Sequence, residues 1–361
     1  MSLFAEEFYT ARRQALQQKV AQADVSALVF GVGAELNALT GYEFFSHERL
    51  TALVVSADSQ VLIAPATDAA SLPTLPEVTV KPWRDGENPY AIVAEVAAGP
   101  AELGRTLTAD HVFGLQAALP GTRLMSQRFA DMFMIKDPAE IAELARAGAA
   151  IDRVHEQVPA LLVAGRTEAE VAAEIAELIR CEHAKADFVI VGSGPNGANP
   201  HHDFSDRVLQ PGDPVVVDIG GTLDTGYHSD STRTYVVPGA AASPEFQRAY
   251  QVVLEAQQAA VKAARPGMTA SELDAVARDI ITAAGFGHEF SHRLGHGIGL
   301  EIHEQPFIIA GSDLVLEEGM AFSIEPGVYV DGQFGVRIED IVTLTDTGAR
   351  SLNNAPKALH C

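Results

Sequence analysis

Sliding the chain along itself by 102 positions lays Thr167 on Thr269, Glu170 on Glu272, Val171 on Leu273 and Ile179 on Ile281. The same shift carries Phe188 onto Phe290 and His201 onto His303. A threonine followed three residues on by glutamate is a capping-box signature, so both copies predict a helix start at the same place. Each of those helices follows another. Asp137, Pro138 and Glu140 open the first, which carries Ile141, Leu144, Ile151, Val154, Val158 and Leu161 at helical spacing, and Ser243 with Pro244 opens its counterpart. After each helix pair comes an apolar strand that ends in a carboxylate, "PVVVDIGG" with Asp218 and "MAFSIEPG" with Glu325. Alanine-rich helices match one another by chance, but matched histidines and matched strand carboxylates do not. The second part of the chain therefore reads as a duplicated helix–helix–strand unit with an internal pseudo-two-fold, an α+β domain over residues 129–361.

Residues 1–128 read differently. An amphipathic helix with Phe4, Phe8, Leu16 and Val20 comes first. The short apolar runs "SALVFGV", "ERLTALVVSA", "QVLIAPA", "EVTVKPW" and "DHVFGL" then predict the strands of a small α/β domain. Two domains suit a chain of 361 residues. With 25 basic against 48 acidic side chains the net charge is −23, which argues against nucleic acid or an anionic membrane surface as a partner. Cys181 and Cys361 are too few for a disulfide framework or a CxxC zinc site. The first residues, "MSLFAEEFYTARRQALQQKV", read as neither a signal peptide nor an anchor, and no run approaches a membrane span. The expectation is a reducing, cytoplasmic setting.

A charge at the end of a valine run is costly unless it is paired or coordinated. Asp230 lies beyond a turn from Asp218, and a hairpin centred near Asp224 brings the two side by side. Glu325 and Glu339 flank the turn "VDGQFG" in the same way. Four carboxylates in an apolar interior cannot all ionise without cations, and two divalent ions resolve this. The stretch "HRLGHGIGLEIHEQP" adds His292, His296 and His303 around interleaved glycines, with His296 as a nitrogen ligand.

These residues resemble the dinuclear site of the pita-bread metallopeptidases, the family of methionine aminopeptidase, aminopeptidase P and prolidase. The likeness rests on "SDSTRT" around Asp230, "GHGIGLEIHE" around His296 and His303, "SIEPGVY" around Glu325 and "GVRIEDIV" around Glu339. His201, His292, Tyr329, Arg337 and the N-terminal α/β domain favour the proline-directed branch. The spacing from Asp218 to Asp230 is one residue longer than in many relatives, which an extra turn residue explains. The resemblance implies a creatinase-like N-terminal domain and a pita-bread catalytic domain. It also implies a homodimer, with di- or oligopeptides containing proline as substrates. Asp218, Asp230, His296, Glu325 and Glu339 would hold two divalent ions, with Asp230 and Glu339 bridging. Manganese suits such a ligand set, and cobalt or zinc can substitute. A hydroxide between the metals would attack the scissile carbonyl while Glu325 shuttles the proton. His201 and His303 would stabilise the oxyanion, and His292, Tyr329 and Arg337 would shape the proline side. The reading is an Xaa-Pro dipeptidase, with an Xaa-Pro aminopeptidase acting on longer peptides as the alternative. A dipeptidase needs a cation for the substrate's free carboxylate. Arg49 or His47 in "FFSHERL" is the candidate from the N-terminal domain, of this subunit or a partner.

Gly192, Gly194 and Gly197 have dinucleotide-fingerprint spacing, but Pro200, Pro211 and Gly212 leave no room for the crossover helix that motif needs. No GxSxG elbow is present. Creatinase shares the fold without the full carboxylate set. A non-catalytic binding protein on this fold has no physical reason to keep five ligands.

Overall fold

The computed structural model describes residues 4–45 and 48–359, so His47 and Cys361 lie outside the described residues. The chain divides into two compact units, Met1–Phe133 and Met134–Cys361.

In the first unit six strands form one mixed sheet, in the order Thr79–Trp83, Gln60–Pro65, Ala52–Ser56, Ala27–Gly31, Ala101–Leu103, Arg123–Leu124. Strand alternation sorts the side chains to two cores. Leu28, Phe30, Leu53 and Val55 pack with Leu16, Leu36 and Leu39 on one face. Ala27, Val29, Ala52 and Val54 pack with Val93 and Leu115 on the other. Two sequence expectations are corrected here. "DHVFGL" is not a strand but part of the helix Ala109–Ala118, which buries His111 and Leu115 one turn apart; the strand at that point is Ala101–Leu103. The first helix, Glu6–Ala21, buries Tyr9, Arg13, Leu16 and Val20 rather than Phe4 and Phe8. Arg13 is tolerated inside because Gln60 Oε1 and the carbonyls of Leu39 and Pro76 accept from its guanidinium at 2.7, 2.7 and 2.8 Å.

The second unit is built twice. Helices Pro138–His155 and Glu168–Glu182 cover the antiparallel sheet Lys185–Ser193, Pro214–Thr222, His228–Val236. Helices Pro244–Ala263 and Ala270–Ala283 cover a sheet ordered Glu304–Ile308, Gly295–Gly297, Ala321–Ile324, Asp340–Thr345, Gly348–Ser351. Capping boxes close at Asp137 with Glu140, Thr167 with Glu170 and Thr269 with Glu272.

The repeat extends to the backbone. The amide of Gly165 donates to Leu209 and that of Gly267 to Leu316; Glu168 donates to Arg207 and Ala270 to Leu314. Helix positions correspond at the 102-residue shift, and strand positions five residues further on, because the second connection is longer. The fingerprint glycines sit where a strand runs into a 3-10 turn at Gly194–Ala198, between antiparallel strands, so no dinucleotide crossover exists there. No helix among the described residues is long and apolar enough to cross a membrane.

Candidate metal centre

Strand period decides which side chains face the site. Val215, Val217 and Ile219 point into the helix-packed core, so Asp218 between them faces the other way. Phe322, Ile324, Val336 and Ile338 do the same in the second half, which leaves Ser323, Glu325, Arg337 and Glu339 on the opposite face.

Register then fixes the carboxylates. In the first hairpin Asp218 stands opposite Thr232, and Asp230 opposite Gly220, so the two aspartates are diagonal rather than directly paired. The hairpin is centred one residue later than Asp224 because the three residues Asp224–Gly226 turn the chain between the paired Leu223 and Tyr227. In the second hairpin Ile324 pairs with Asp340 and Gly327 with Arg337, which places Glu325 opposite Glu339. Asp218 and Glu325 are thus repeat counterparts, whereas Asp230 and Glu339 are staggered. The stagger turns both into the middle of the group. The hairpins are held together where the Glu339 amide donates to Thr232 O at 3.1 Å and Thr234 Oγ1 donates to Arg337 O at 2.9 Å.

His296 enters on the short strand Gly295–Gly297, at a register shift that re-aims the chain. Its glycine neighbours are required by space: a Cβ at Gly295 would stand 1.9 Å from Ser323 O, and one at Gly297 would stand 2.2 Å from Gln305 O. The result is one cluster. Asp218, Asp230 and Glu339 each offer an oxygen within 4.8 Å of the others, and the same holds for His296, Glu325 and Glu339, and for Asp230, His296 and His303.

The electrostatics of this cluster call for cations. Asp218 Oδ1 and Glu339 Oε1 are buried without a hydrogen-bond partner among the described residues. Burial, reinforced by neighbouring carboxylates, pushes the carboxyls of Asp230 and Glu339 well above their ordinary range. Burial raises Glu325 too, but His296 facing it outweighs this and holds it at about 2. His296 Nδ1 lies 3.1 Å from Gly297 O, which can only accept, so Nδ1 carries the proton. Nε2 stands 3.2 Å from Glu325 Oε1 and 3.6 Å from Asp230 Oδ2 and donates to Glu325 here; a cation would take the place of the Nε2 proton and receive the lone pair. Lone pairs converging from one imidazole and four carboxylates are a ligand set for divalent cations. The residues present fit such a pair.

Around the cluster lies a cavity of about 660 Å³, lined among others by Phe188, His201, His292, Arg293, Ile302 and His303. His201 and His303 both face it from exposed connections, and the His303 ring meets that of His296 edge-on at 4.0 Å between centroids. Arg337 is spent on a buried chain of contacts. Its Nη2 donates to Asp218 Oδ2 at 2.6 Å, Nη1 to Tyr329 Oη at 2.7 Å and Nε to Thr232 Oγ1 at 3.0 Å. Tyr329 Oη in turn lies 3.1 Å from His292 Nε2. Arg49 belongs to the other unit, where Asp85 grips it through two bonds of 2.9 Å and Glu48 through one of 2.8 Å.

Sequence reasoning passed over three side chains that the structure brings in. Thr232 Oγ1 donates to Glu339 Oε2 at 2.6 Å, and Ser323 Oγ to Glu325 Oε1 at 2.9 Å. Both sit two residues from a carboxylate on the same strand face, and that spacing was the available signal. Arg293 stands next to His292 in the glycine-rich stretch. Its guanidinium stacks over Phe307 at 4.4 Å and has no hydrogen-bond or ion-pair partner among the described residues.

Comparison with known proteins identifies the family and the fold. Residues 142–346 match Metallopeptidase family M24, and residues 12–139 match the Creatinase/Prolidase N-terminal domain. A probable dipeptidase PepE of Mycobacterium tuberculosis is 47% identical over 99% of this chain and 97% of its own. An Xaa-Pro dipeptidase of Lactobacillus helveticus is 38% identical over 90% of this chain and 91% of its own. The crystal structure of dipeptidase PepE from Mycobacterium ulcerans superposes with a TM-score of 0.94 at 47% identity, covering 99% of this chain and 98% of that one.

Proposed function

The chain belongs to metallopeptidase family M24, and from that membership we propose that it is an Xaa-Pro dipeptidase. The observation that carries dipeptides over longer peptides is Arg293. A dipeptide substrate brings a free carboxylate into the cavity and needs a cation there. Arg337 is committed to Asp218, whereas Arg293 lines the same cavity unengaged. An arginine held flat on Phe307 offers a planar fork to a carboxylate.

In this reading Asp218, Asp230, His296, Glu325 and Glu339 would hold two divalent ions, and manganese would suit the oxygen-rich set. When bound, the ions polarise the scissile carbonyl and lower the pKa of water towards neutrality. Glu325 Oε2, the oxygen not taken by Ser323, accepts the proton of the attacking water and returns it to the proline nitrogen as the bond breaks. Burial, together with His296 and Arg293 beside it, brings the His303 imidazole down to about 4. Neutral at working pH, it donates an N–H to the oxyanion, with His201 as the second donor. His292, Tyr329 and Arg337 form one bonded chain that orients Asp218 and walls the proline side. The proposal includes a cytoplasmic homodimer. Arg49 can serve in it only by exchanging Asp85 for a substrate carboxylate, which makes Arg293 the primary clamp.

Arg293→Ala tests this directly. Losing a charge-assisted bond of about 1.5–3 kcal/mol is expected to raise KM for Ala-Pro roughly 10- to 100-fold with little change in kcat. Cleavage of the amide Ala-Pro-NH2, which lacks the carboxylate, should not move. An unchanged KM for Ala-Pro would remove Arg293 from the carboxylate site and the dipeptide preference would lose its physical basis.

A further inference from the structure

Glu168 is a fully buried carboxylate in the first turn of the helix Glu168–Glu182 that the proposed reaction does not use. Among the described residues, every hydrogen bond to its side chain comes from a single segment, residues 193–205. Oε1 accepts from Ser193 N at 2.7 Å, Ser193 Oγ at 2.6 Å and Asn196 Nδ2 at 3.1 Å. Oε2 accepts from His202 Nε2 at 2.8 Å, Ser205 N at 2.9 Å and Ser205 Oγ at 2.7 Å, and shares Asn196 Nδ2 at 3.1 Å. Burial alone would raise this carboxyl, but the bonds from Ser193, Ser205 and His202 outweigh it and keep the group below its ordinary range, hence ionised. An ionised carboxylate away from water is tolerated only with this many donors, and all of them serve one connection.

That connection carries His201. After the 3-10 turn Gly194–Ala198 it runs without regular structure from Asn199 to Asp206, partly exposed, and among the described residues the His201 amide is held by Asn199 Oδ1 at 3.1 Å. The repeat shows that such a tether is not a requirement of the fold. The counterpart of Glu168 is Ala270, which has no polar side chain, although the backbone bonds on either side are reproduced. The second half fixes its own histidine by different means. His303 is followed by Glu304, the counterpart of His202, and Glu304 is paired with the buried Lys136. In both halves the residue directly after the cavity histidine is therefore locked by a buried charge, with opposite sign in each.

We propose that Glu168 is a positioning residue for peptide hydrolysis, anchoring the 193–205 segment through Ser193, His202 and Ser205 so that His201 is presented to the reacting carbonyl. The proposal rests on the peptidase reading above, in which His201 is an oxyanion donor. Glu168 is not among the residues that line the cavity. It acts by holding a donor within the narrow geometry that transition-state stabilisation demands.

The test is a double-mutant cycle on the Mn²⁺-loaded full chain with Ala-Pro as substrate. Glu168→Gln keeps the shape but loses the charge and turns one acceptor into a donor facing donors. Its expected effect is a 10- to 100-fold fall in kcat, with KM within about twofold and Mn²⁺ affinity unchanged by calorimetry. In a His201→Ala background the same change should cost less than about threefold. Hydrogen exchange of residues 194–205 should accelerate in Glu168→Gln while the sheet beneath stays protected. An equal loss in both backgrounds, an unchanged kcat or unchanged exchange would each overturn the proposal. If Glu168→Gln does not fold, His202→Ala removes one tether at the residue next to His201 and is read in the same cycle. A wild-type protein that leaves Ala-Pro intact would count against the Xaa-Pro reading instead, and the exchange measurement would still decide whether Glu168 holds the segment.

Discussion

Replacing Glu339 by glutamine is expected to lower Mn²⁺-supported hydrolysis of Ala-Pro by at least about a thousandfold, equivalent to about 4 kcal/mol of transition-state stabilisation. The size follows from where this carboxylate stands. Glu339 belongs to both the oxygen-only group with Asp218 and Asp230 and the group with His296 and Glu325, so it joins the two hairpins within the centre. One of its oxygens is oriented by Thr232 and the other has no hydrogen-bond partner among the described residues, which leaves it directed into the cluster. An amide there supplies one neutral oxygen and an N–H that repels a cation. Bound manganese should fall from two equivalents to one or fewer by atomic absorption, while the thermal transition of the metal-free protein stays put or rises, because one of four crowded carboxylates is gone. A Glu339→Gln protein that binds two equivalents and keeps more than a tenth of the activity would remove Glu339 from the metal set.

Arg337→Met is expected to cost the metal-free protein about 3–5 kcal/mol, a drop of roughly 10 °C in the transition of the Met134–Cys361 unit. The guanidinium is 3% exposed and joins Asp218, Tyr329 and Thr232. A thioether fills much of the volume but leaves Asp218 buried with neither of its oxygens bonded, since Oδ1 has no partner to begin with. Saturating manganese should recover part of the loss, because the ion supplies the positive charge that the arginine no longer does. Manganese affinity itself should weaken 10- to 100-fold as Asp218 loses its orientation. Calorimetry on the variant, with and without Mn²⁺, reads both numbers. Stability within 1 kcal/mol of wild type would mean that the arginine is not the partner Asp218 depends on.

What could be read from the sequence shares one physical origin. A carboxylate in a run of valines or isoleucines has no bland explanation, so Asp218, Glu325 and Glu339 stand out from composition alone. Capping boxes are local chemistry, and the three at Asp137, Thr167 and Thr269 start helices as the spacing predicts. The misreadings are equally physical. "DHVFGL" is a short apolar run, and over six residues periodicity cannot separate a strand from a buried helix face. The buried face of the first helix is misread because Arg13 looks solvent-facing until Gln60 and the carbonyls of Leu39 and Pro76, far along the chain, close around it. A one-residue difference in the centre of a hairpin makes Asp218 and Asp230 diagonal instead of opposite, and turn geometry sets that difference. Glu168 was invisible for another reason. An acid in the first turn of a helix looks like an ordinary answer to the helix dipole, and its partners lie 25 to 37 residues further on. Arg293 was in plain view beside His292, but only the fold shows that Arg337 is already taken and Arg293 is not.

Whether the cavity takes a free Xaa-Pro dipeptide is decided by a side-by-side cleavage assay. The Mn²⁺-loaded protein is given Ala-Pro and Ala-Pro-Ala side by side, and released alanine is followed by amino-acid analysis, with Asp230→Asn as the control. Alanine from Ala-Pro alone, absent in the control, is the predicted result. Alanine released from the N-terminus of Ala-Pro-Ala at an equal or higher rate would contradict the dipeptidase reading and make the protein an Xaa-Pro aminopeptidase.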